Sequence, residues 1–394
     1  MGLGALAVVA RWKARIGAGL AVLVATVVVL VVAVTGGPAA PAPLPGFAYI
    51  TNGFSVIPLN MVTGVAGKPI PQPGGALDLA AAPDGQTIYV INPAAGTVTP
   101  ISTVTNKPGR PIPAGSYPGV IAIPPSGTTA YVGGATAVTP INLATGTPGK
   151  PIPLPGEAET ITVAPDGQTI YVTGEDDVNP SSTAITPINT ATNTAGTPIL
   201  VSHDVGQLAF ALGGQIMYAV GGGPPPSVTP IDTRTGKTQA PVSGVDAVTV
   251  SPDGEVAYFS DTSTYTITPV NPLSDKPADR PVRLGVMPGN MIIEPDGTTA
   301  WVLVSSSRYY VLPPGAPIPP EAIIPVDLTT GSRGRPITVP QGIRGMTTTP
   351  DPQVLMLWCQ QGLVILNMST GALKDTGISF TGTLGIHIAY IPLG

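Results

Sequence analysis

Residues Val138 to Val172 read VTPINLATGTPGKPIPLPGEAETITVAPDGQTIYV. Four short apolar runs lie in this stretch, separated by turn residues. ITVA ends at Pro165-Asp166-Gly167, where Asp bonds its own following backbone and Gly accepts positive φ. TIYV, rich in β-branched and aromatic residues, follows. VTPIN comes next in each unit, then a turn at Ala144-Thr145-Gly146, and KPIP closes the unit. Four runs joined by reversals predict one antiparallel four-stranded meander.

A lone meander cannot bury its two faces. The unit recurs, and its TPI-type proline marks the copies at Pro58, Pro100, Pro140, Pro187, Pro230, Pro269 and Pro325, with Ile365 in the last. A period near 40 without helical patterning predicts sheets stacked around an axis, a β-propeller. The fold class is therefore all-β, with eight blades by repeat count and seven as the alternative if one unit is incomplete. The first copy begins at Ala48-Tyr49-Ile50 without its inner run, and the last, GIHIAYIPL, supplies that run. The two ends are expected to complete one blade and close the ring, hiding its strand edges. Proline inside TPI is tolerable only where its amide side needs no partner, and the proline-rich KPIP is expected outermost.

Residues 1–15 carry Arg11, Lys13 and Arg15, and Ile16 to Val34 is uncharged and mostly apolar. The 16–35 segment is thus expected to be one N-terminal helix, a transmembrane anchor or a cleaved signal. The basic flank keeps residues 1–15 in the cytoplasm and places the propeller outside, or secreted if the segment is cleaved. Residues 36–46 form a stiff Pro/Ala linker. The propeller spans 47–394.

With a net charge of −5 and 10% charged residues, the chain lacks the basic surface that nucleic-acid binding needs. One cysteine, Cys359, excludes an internal disulfide, and two histidines exclude a metal centre built from several imidazoles. No G-x-S-x-G elbow, phosphate-binding loop or dinucleotide fingerprint is present.

Insertions fall at one connection, between the second and third strands: 174–184, 221–227 and 305–321. Meander geometry sends them, with the connections between blades, to one face of the disc. Insertions gathered on one face mark a binding face in repeat proteins. The candidate residues there are Glu157, Glu159, Glu175, Asp176 and Asp177, then His203 with Asp204, then Arg308, Tyr309 and Tyr310. The carboxylates are a solvated acidic patch or oxygen ligands for Ca²⁺, although no spacing matches a calcium loop. No other cofactor and no catalytic residue is assigned. Arg and Tyr are common anchors of binding surfaces. His387, in the inner run of the last copy, is expected to line the channel. The recurring Asp84, Asp166, Asp253 and Asp296 read as turn residues. The recurring Tyr89, Tyr131, Tyr171, Tyr218 and Tyr258 read as blade core.

Tyr49-Ile50-Thr51-Asn52, Pro165-Asp166-Gly167 with Tyr171-Val172-Thr173, and Val228-Thr229-Pro230-Ile231-Asp232 resemble the repeat of the YVTN-type β-propellers over residues 47–394. The chain departs from that repeat by a proline in the third strand and by the loss of the motif's Asn in most units. The resemblance implies an exported or surface-layer propeller, related to lactonase-like and quinoprotein-like propellers. Together these readings favour a monomeric, noncatalytic binding or scaffold module at the cell envelope, with a protein or envelope polymer as partner. The alternative is a carboxylate- or divalent-metal-dependent hydrolase.

Overall fold

A computed structural model of the chain describes residues 46–394 apart from 62, 177, 178, 180, 223, 224, 305–320, 341, 350, 352, 360, 361, 379–387 and 391–394. The 16–35 segment lies outside these residues. Among them, no helix is long and apolar enough to cross a membrane.

Eight antiparallel sheets form eight blades. Blade 1 contains Phe47–Thr51 and Gly53–Asn60. Blades 2 to 8 begin with the inner strands Leu79–Ala81, Val120–Ala122, Thr160–Val163, Gln207–Ala211, Ala247–Val250, Pro288–Ile293 and Ile343–Thr348. The inner strand of blade 1 comes from the other end of the chain: Ile388–Tyr390 pairs antiparallel with Phe47–Thr51, Ala389 opposite Tyr49. The ring is closed as the repeat pattern predicts. Eight apolar clusters each join two neighbouring blades, and the one containing Ile50, Leu59, Met356 and Trp358 joins blade 8 to blade 1. No sheet has a core of its own; burial is shared between blades.

The aspartate of each PDG turn accepts the amide two residues on, as Asp166 does from Gln168 at 2.9 Å. The Gly beside it has positive φ, +68° at Gly167. The turns between third and outer strands lie on this same face. Thr103 Oγ1 donates to Gly85 O at 2.7 Å, and Thr190 Oγ1 to Gly167 O at 3.0 Å. This is the turn face. The hairpins between second and third strands and the connections between blades make the opposite, loop-rich face.

The TPI proline stands directly opposite the recurring aromatic in seven blades: Tyr49, Tyr89, Tyr131, Tyr171, Tyr218, Tyr258 and Trp301. Met356 faces Ile365 in blade 8. The proline carbonyl points outward, to the amide of Gly67, Gly109, Gly149, Gly196 or Gly334 at 2.7–2.8 Å. The missing proline donor therefore also points outward. There the outer strand is broken: in blade 3 it pairs as Thr147–Pro148 at one end of the third strand and Ile152–Pro153 at the other. The break leaves nothing opposite the proline nitrogen that needs a donor. KPIP lies outermost as expected, through Ile152–Pro153, and the outer strand also takes in Thr147–Pro148 before the break. The glycine at the break is also a packing residue, since a Cβ on Gly149 would lie 3.1 Å from the Pro140 ring.

The blades alternate in pairs. Between third and outer strands the left-handed position is Gly64, Gly146, Gly236 and Gly331 in blades 1, 3, 5 and 7, but Asn106, Asn193 and Asp275 in blades 2, 4 and 6; blade 8 breaks the alternation with Gly371. Each of these polar side chains meets the tyrosine of the preceding blade. Tyr49 OH is 2.7 Å from Asn106 Oδ1, Tyr131 OH 2.6 Å from Asn193 Oδ1 and Tyr218 OH 3.3 Å from Asp275 Oδ1. These three phenols are at most 1% exposed, against 5–8% for Tyr89, Tyr171 and Tyr258, for which the turn of the following blade carries glycine: Gly146, Gly236 and Gly331. Burial pushes the Tyr49 hydroxyl up to about 12.

Asp275 differs from its two asparagine counterparts. Its Oδ2 is buried without a hydrogen bond of good geometry, and burial, opposed by the side chains of Tyr218 and Gln239, raises its carboxyl above 3.8. A raised carboxyl binds its proton more tightly in the native state, so stability is present below pH 3.8 and lost as pH rises through the native value. Asp275→Asn is expected to gain about 1 kcal/mol at pH 7, partial solvent screening included, and to lose that pH dependence. Urea unfolding at pH 4 and pH 7 checks both; equal stability of the two proteins at pH 7 refutes the assignment.

Candidate functional site

The loop-rich face is held by close approach of two backbones. Near the end of the second strand stand Gly174 in blade 4, one residue before its last residue Glu175, and Gly221, the last residue, in blade 5. A Cβ on Gly174 would collide with Glu157 O, and one on Gly221 with Asp204 O and His203 Nδ1. Glycine lets the connection entering a blade lie directly on that blade's hairpin. Glu159 N donates to Thr173 O at 2.8 Å, and Asp176 N to Ser182 O at 3.1 Å. Glu175 pairs with Thr183, whose hydroxyl accepts from Val205 N at 3.0 Å and so ties the blade 4 hairpin to the blade 5 connection. Glu157, Glu159, Glu175 and Asp176 are thereby gathered on blade 4, with His203 and Asp204 beside them on blade 5.

His203 is fixed at both ring nitrogens. Nδ1 lies 3.1 Å from Asp204 O, to which it donates, and Nε2 lies 2.9 Å from Thr229 Oγ1. The histidine braces its loop in this arrangement. Asp177, Arg308, Tyr309, Tyr310 and His387 lie outside the described residues.

Blade 6 extends the acidic arc with two residues that sequence reading passed over. Asp246 precedes the inner strand, its N donating to Ser260 O at 2.9 Å and its Oδ2 accepting from Thr262 N at 2.8 Å, which sets it beside Asp261 at the end of the second strand. Burial raises the Asp246 carboxyl, opposed by bonds from Thr262 and assisted by the charge of Asp261. Burial also acts on Asp261, but donors from Ser263 and Thr264 outweigh it and hold that carboxyl below 3.8. In the connections and hairpins of blades 4–6, the sequence contains no lysine or arginine. Seven described carboxylates thus face one side without a cation in the same loops.

Two further carboxylates have a different task. Asp78 accepts Leu79 N at 2.7 Å and Ile121 N of the next blade at 2.9 Å. Glu321, 1% exposed, accepts Ile343 N at 2.9 Å. Both cap the start of a neighbouring inner strand and act as struts. The motif's Asn52 staples its own hairpin, accepting Ser55 N at 2.9 Å. Asn92, by contrast, donates to Gly75 O at 2.5 Å and accepts from Thr99 Oγ1. Cys359 is buried, its thiol donating to Gly362 O. Among the described residues, no three His, Cys, Asp or Glu side chains group as they would around a metal ion.

No protein-family model matches the chain, and no curated protein matches it. Among solved structures, the dihydro-heme d1 dehydrogenase NirN in complex with DHE is similar, with a TM-score of 0.65 at 14% identity over 90% of this chain and 77% of that one. A Kuenenia stuttgartiensis hydrazine synthase aligns with a TM-score of 0.49 at 17% identity, over 75% of this chain and 77% of that one. The likeness to NirN supports the eight-bladed fold and nothing finer.

Proposed function

We propose that this chain is a noncatalytic YVTN-type propeller of the cell envelope, anchored by its N-terminal apolar segment and exported. Its loop-rich face receives a positively charged segment of a protein or envelope polymer. The observation that carries this reading is the acidic arc of Glu157, Glu159, Glu175, Asp176, Asp204, Asp246 and Asp261 across blades 4–6, in loops without a basic residue. Like charges held on a common surface focus the field and select cationic partners.

The test uses a photocrosslinker at exposed Ser181 on the loop-rich face, and another at exposed Thr145 on the turn face, in the native envelope. A discrete adduct is expected from Ser181 and none of the same size from Thr145. The combined variant Glu157→Gln, Glu175→Gln, Asp176→Asn is expected to reduce the Ser181 adduct at least tenfold. An adduct that persists in this variant overturns the reading. Purified protein with a decalysine probe supplies the electrostatic arm, where affinity is expected to fall with added salt and to lose its salt dependence in the same variant.

A second reading, a carboxylate-dependent hydrolase, is favoured by the Asp246 and Asp261 pair. One carboxyl is pushed up and the other held down, as a general acid and its charged partner require. It predicts hydrolysis of a chromogenic lactone or ester that Asp246→Asn abolishes. Equal turnover by the wild-type protein and the Asp246→Asn variant rejects it.

A further inference from the structure

The chain enters the propeller on the turn face. Phe47 begins the second strand of blade 1, and Met61 N, in the turn after the third strand, donates to Gly46 O at 2.5 Å. The 45 residues before Gly46 include the uncharged run Ile16–Val34, and the residues between that run and Gly46 reach about 40 Å at full extension. A chain held in a bilayer by that run is therefore tethered by the turn face of blade 1, with blades 8 and 2 at its sides.

Exposed aliphatic side chains stand on this part of the rim. Val65 of blade 1 is 61% exposed, Val104 of blade 2 is 65% and Leu373 of blade 8 is 39%. They are knit together across the closure seam. Lys374 Nζ donates to Thr63 O, and its aliphatic stem lies over Gly64, where an added Cβ would stand 2.9 Å from Cδ and Cε. On the other side, Tyr49 OH reaches Thr103 O and Asn106 of the blade 2 turn, bracketing Val104. Lys68, Lys107 and Arg110 are exposed nearby. In the turn position of Val104, blades 3, 4, 5, 7 and 8 carry Ala144, Ala191, Arg234, Thr329 and Ser369, while blade 6 carries Leu273, 75% exposed but on the far side of the ring from the chain entry. Aliphatic tips ringed by long cationic stems suit the boundary between headgroups and acyl chains, where lysine and arginine keep their charge in the polar layer. The turn aspartates Asp84 and Asp351 are exposed inward of this rim. They oppose flat docking on an anionic surface and favour a tilt onto the rim.

We infer that the turn-face rim of blades 8, 1 and 2 rests in the headgroup layer of the bilayer, so that the loop-rich face points away from the membrane. The inference rests on the proposed N-terminal anchor. It adds a second membrane contact and fixes the direction in which the acidic arc is presented.

The experiment uses the full chain reconstituted in phosphatidylcholine vesicles with a minor share of phosphatidylglycerol. Single labels of an environment-sensitive dye are placed by Val65→Cys, Val104→Cys or Leu373→Cys; native Cys359 is buried and serves as the unlabelled background. Ser181→Cys on the loop-rich face is the aqueous reference. Leu273→Cys, 75% exposed on blade 6 across the ring from blade 2, reads the tilt. The rim labels are expected to brighten at least threefold and to be quenched by nitroxide lipid, while Ser181 and Leu273 are not. Protein that floats with the vesicles while its rim labels match Ser181 overturns the docking and leaves the anchor standing. Protein that does not float overturns the anchor and the docking with it.

Discussion

Ala389→Pro is expected to lower the unfolding free energy by about 3 kcal/mol or more, a large share of a typical stability of about 5–15 kcal/mol. The proline opposite Tyr49 fixes which way the Tyr49 backbone groups point. Pro58 turns its carbonyl outward, to Gly67 N at 2.7 Å. In an antiparallel ladder the N–H and C=O of one residue point the same way, and directly opposed residues either both exchange bonds or both turn away. Pro58 and Tyr49 face each other and turn away, so Tyr49 directs its backbone groups to Ala389. Ala389 thus supplies a ladder donor at the centre of the pairing that, among the described residues, holds the last strand to the first. Proline there removes the donor and places a ring against Tyr49. Ile388 is the internal comparison: it begins its strand and its amide points toward the channel, so Ile388→Pro is expected to cost at least 2 kcal/mol less. Urea unfolding separates the two variants. Size-exclusion chromatography of Ala389→Pro is expected to show association through the freed edge of Phe47–Thr51. Equal midpoints for the two variants would mean that the ring does not depend on this pairing.

The contrast between Ala389 and Ile388 shows which parts of the molecule could be read from letters. Turn chemistry and period were legible because they are local: PDG and TPI recur, and the missing run at one end matches the surplus run at the other. The cross-strand partnership of Tyr with Pro was not legible, because each motif was read along its own strand and the pairing joins two strands. The alternation of Gly with Asn106, Asn193 and Asp275 was visible as a change of letter. Its meaning depended on the phenol of the preceding blade, which no repeat alignment places. KPIP was read as outermost because its residues suit an edge, and the break opposite Pro140 appears only with the register. At the site, the clustered acids of 157–159 and 175–176 stood out by density. Asp246 and Asp261 did not, since each is a single acid in an ordinary run and they become neighbours only by strand pairing. Asp78 and Glu321 carried no signal that separates a strut from a ligand-facing carboxylate.

Gly174→Val is expected to cost about 3 kcal/mol and to lose the Ser181 crosslink together with the fold of its loop. Gly174 sits within a strand, opposite Ala184. The strand conformation itself therefore accommodates a side chain, and the cost is steric. An added Cβ runs into the carbonyl of Glu157, which is backbone and cannot rotate aside. Overpacking of this kind typically costs about 1–3 kcal/mol, and the branched Val places two more carbons in the same gap. The strand must separate from the connection that carries Glu157 and Glu159, and this moves two of the carboxylates away from Glu175 and Asp176. Gly206→Ala, in the connection entering blade 5, is the matched control, because a Cβ there meets nothing within 4 Å. That variant is expected to keep wild-type stability within about 0.5 kcal/mol, or to gain slightly from the smaller entropy of its unfolded chain. The decalysine probe distinguishes a site effect from simple unfolding. At a temperature where Gly174→Val remains folded by circular dichroism, its affinity for the probe is expected to fall at least fivefold, with Gly206→Ala unchanged. If folded Gly174→Val binds the probe as the wild type does, the carboxylates of blade 4 do not act together, and the acidic arc reduces to separate surface charges.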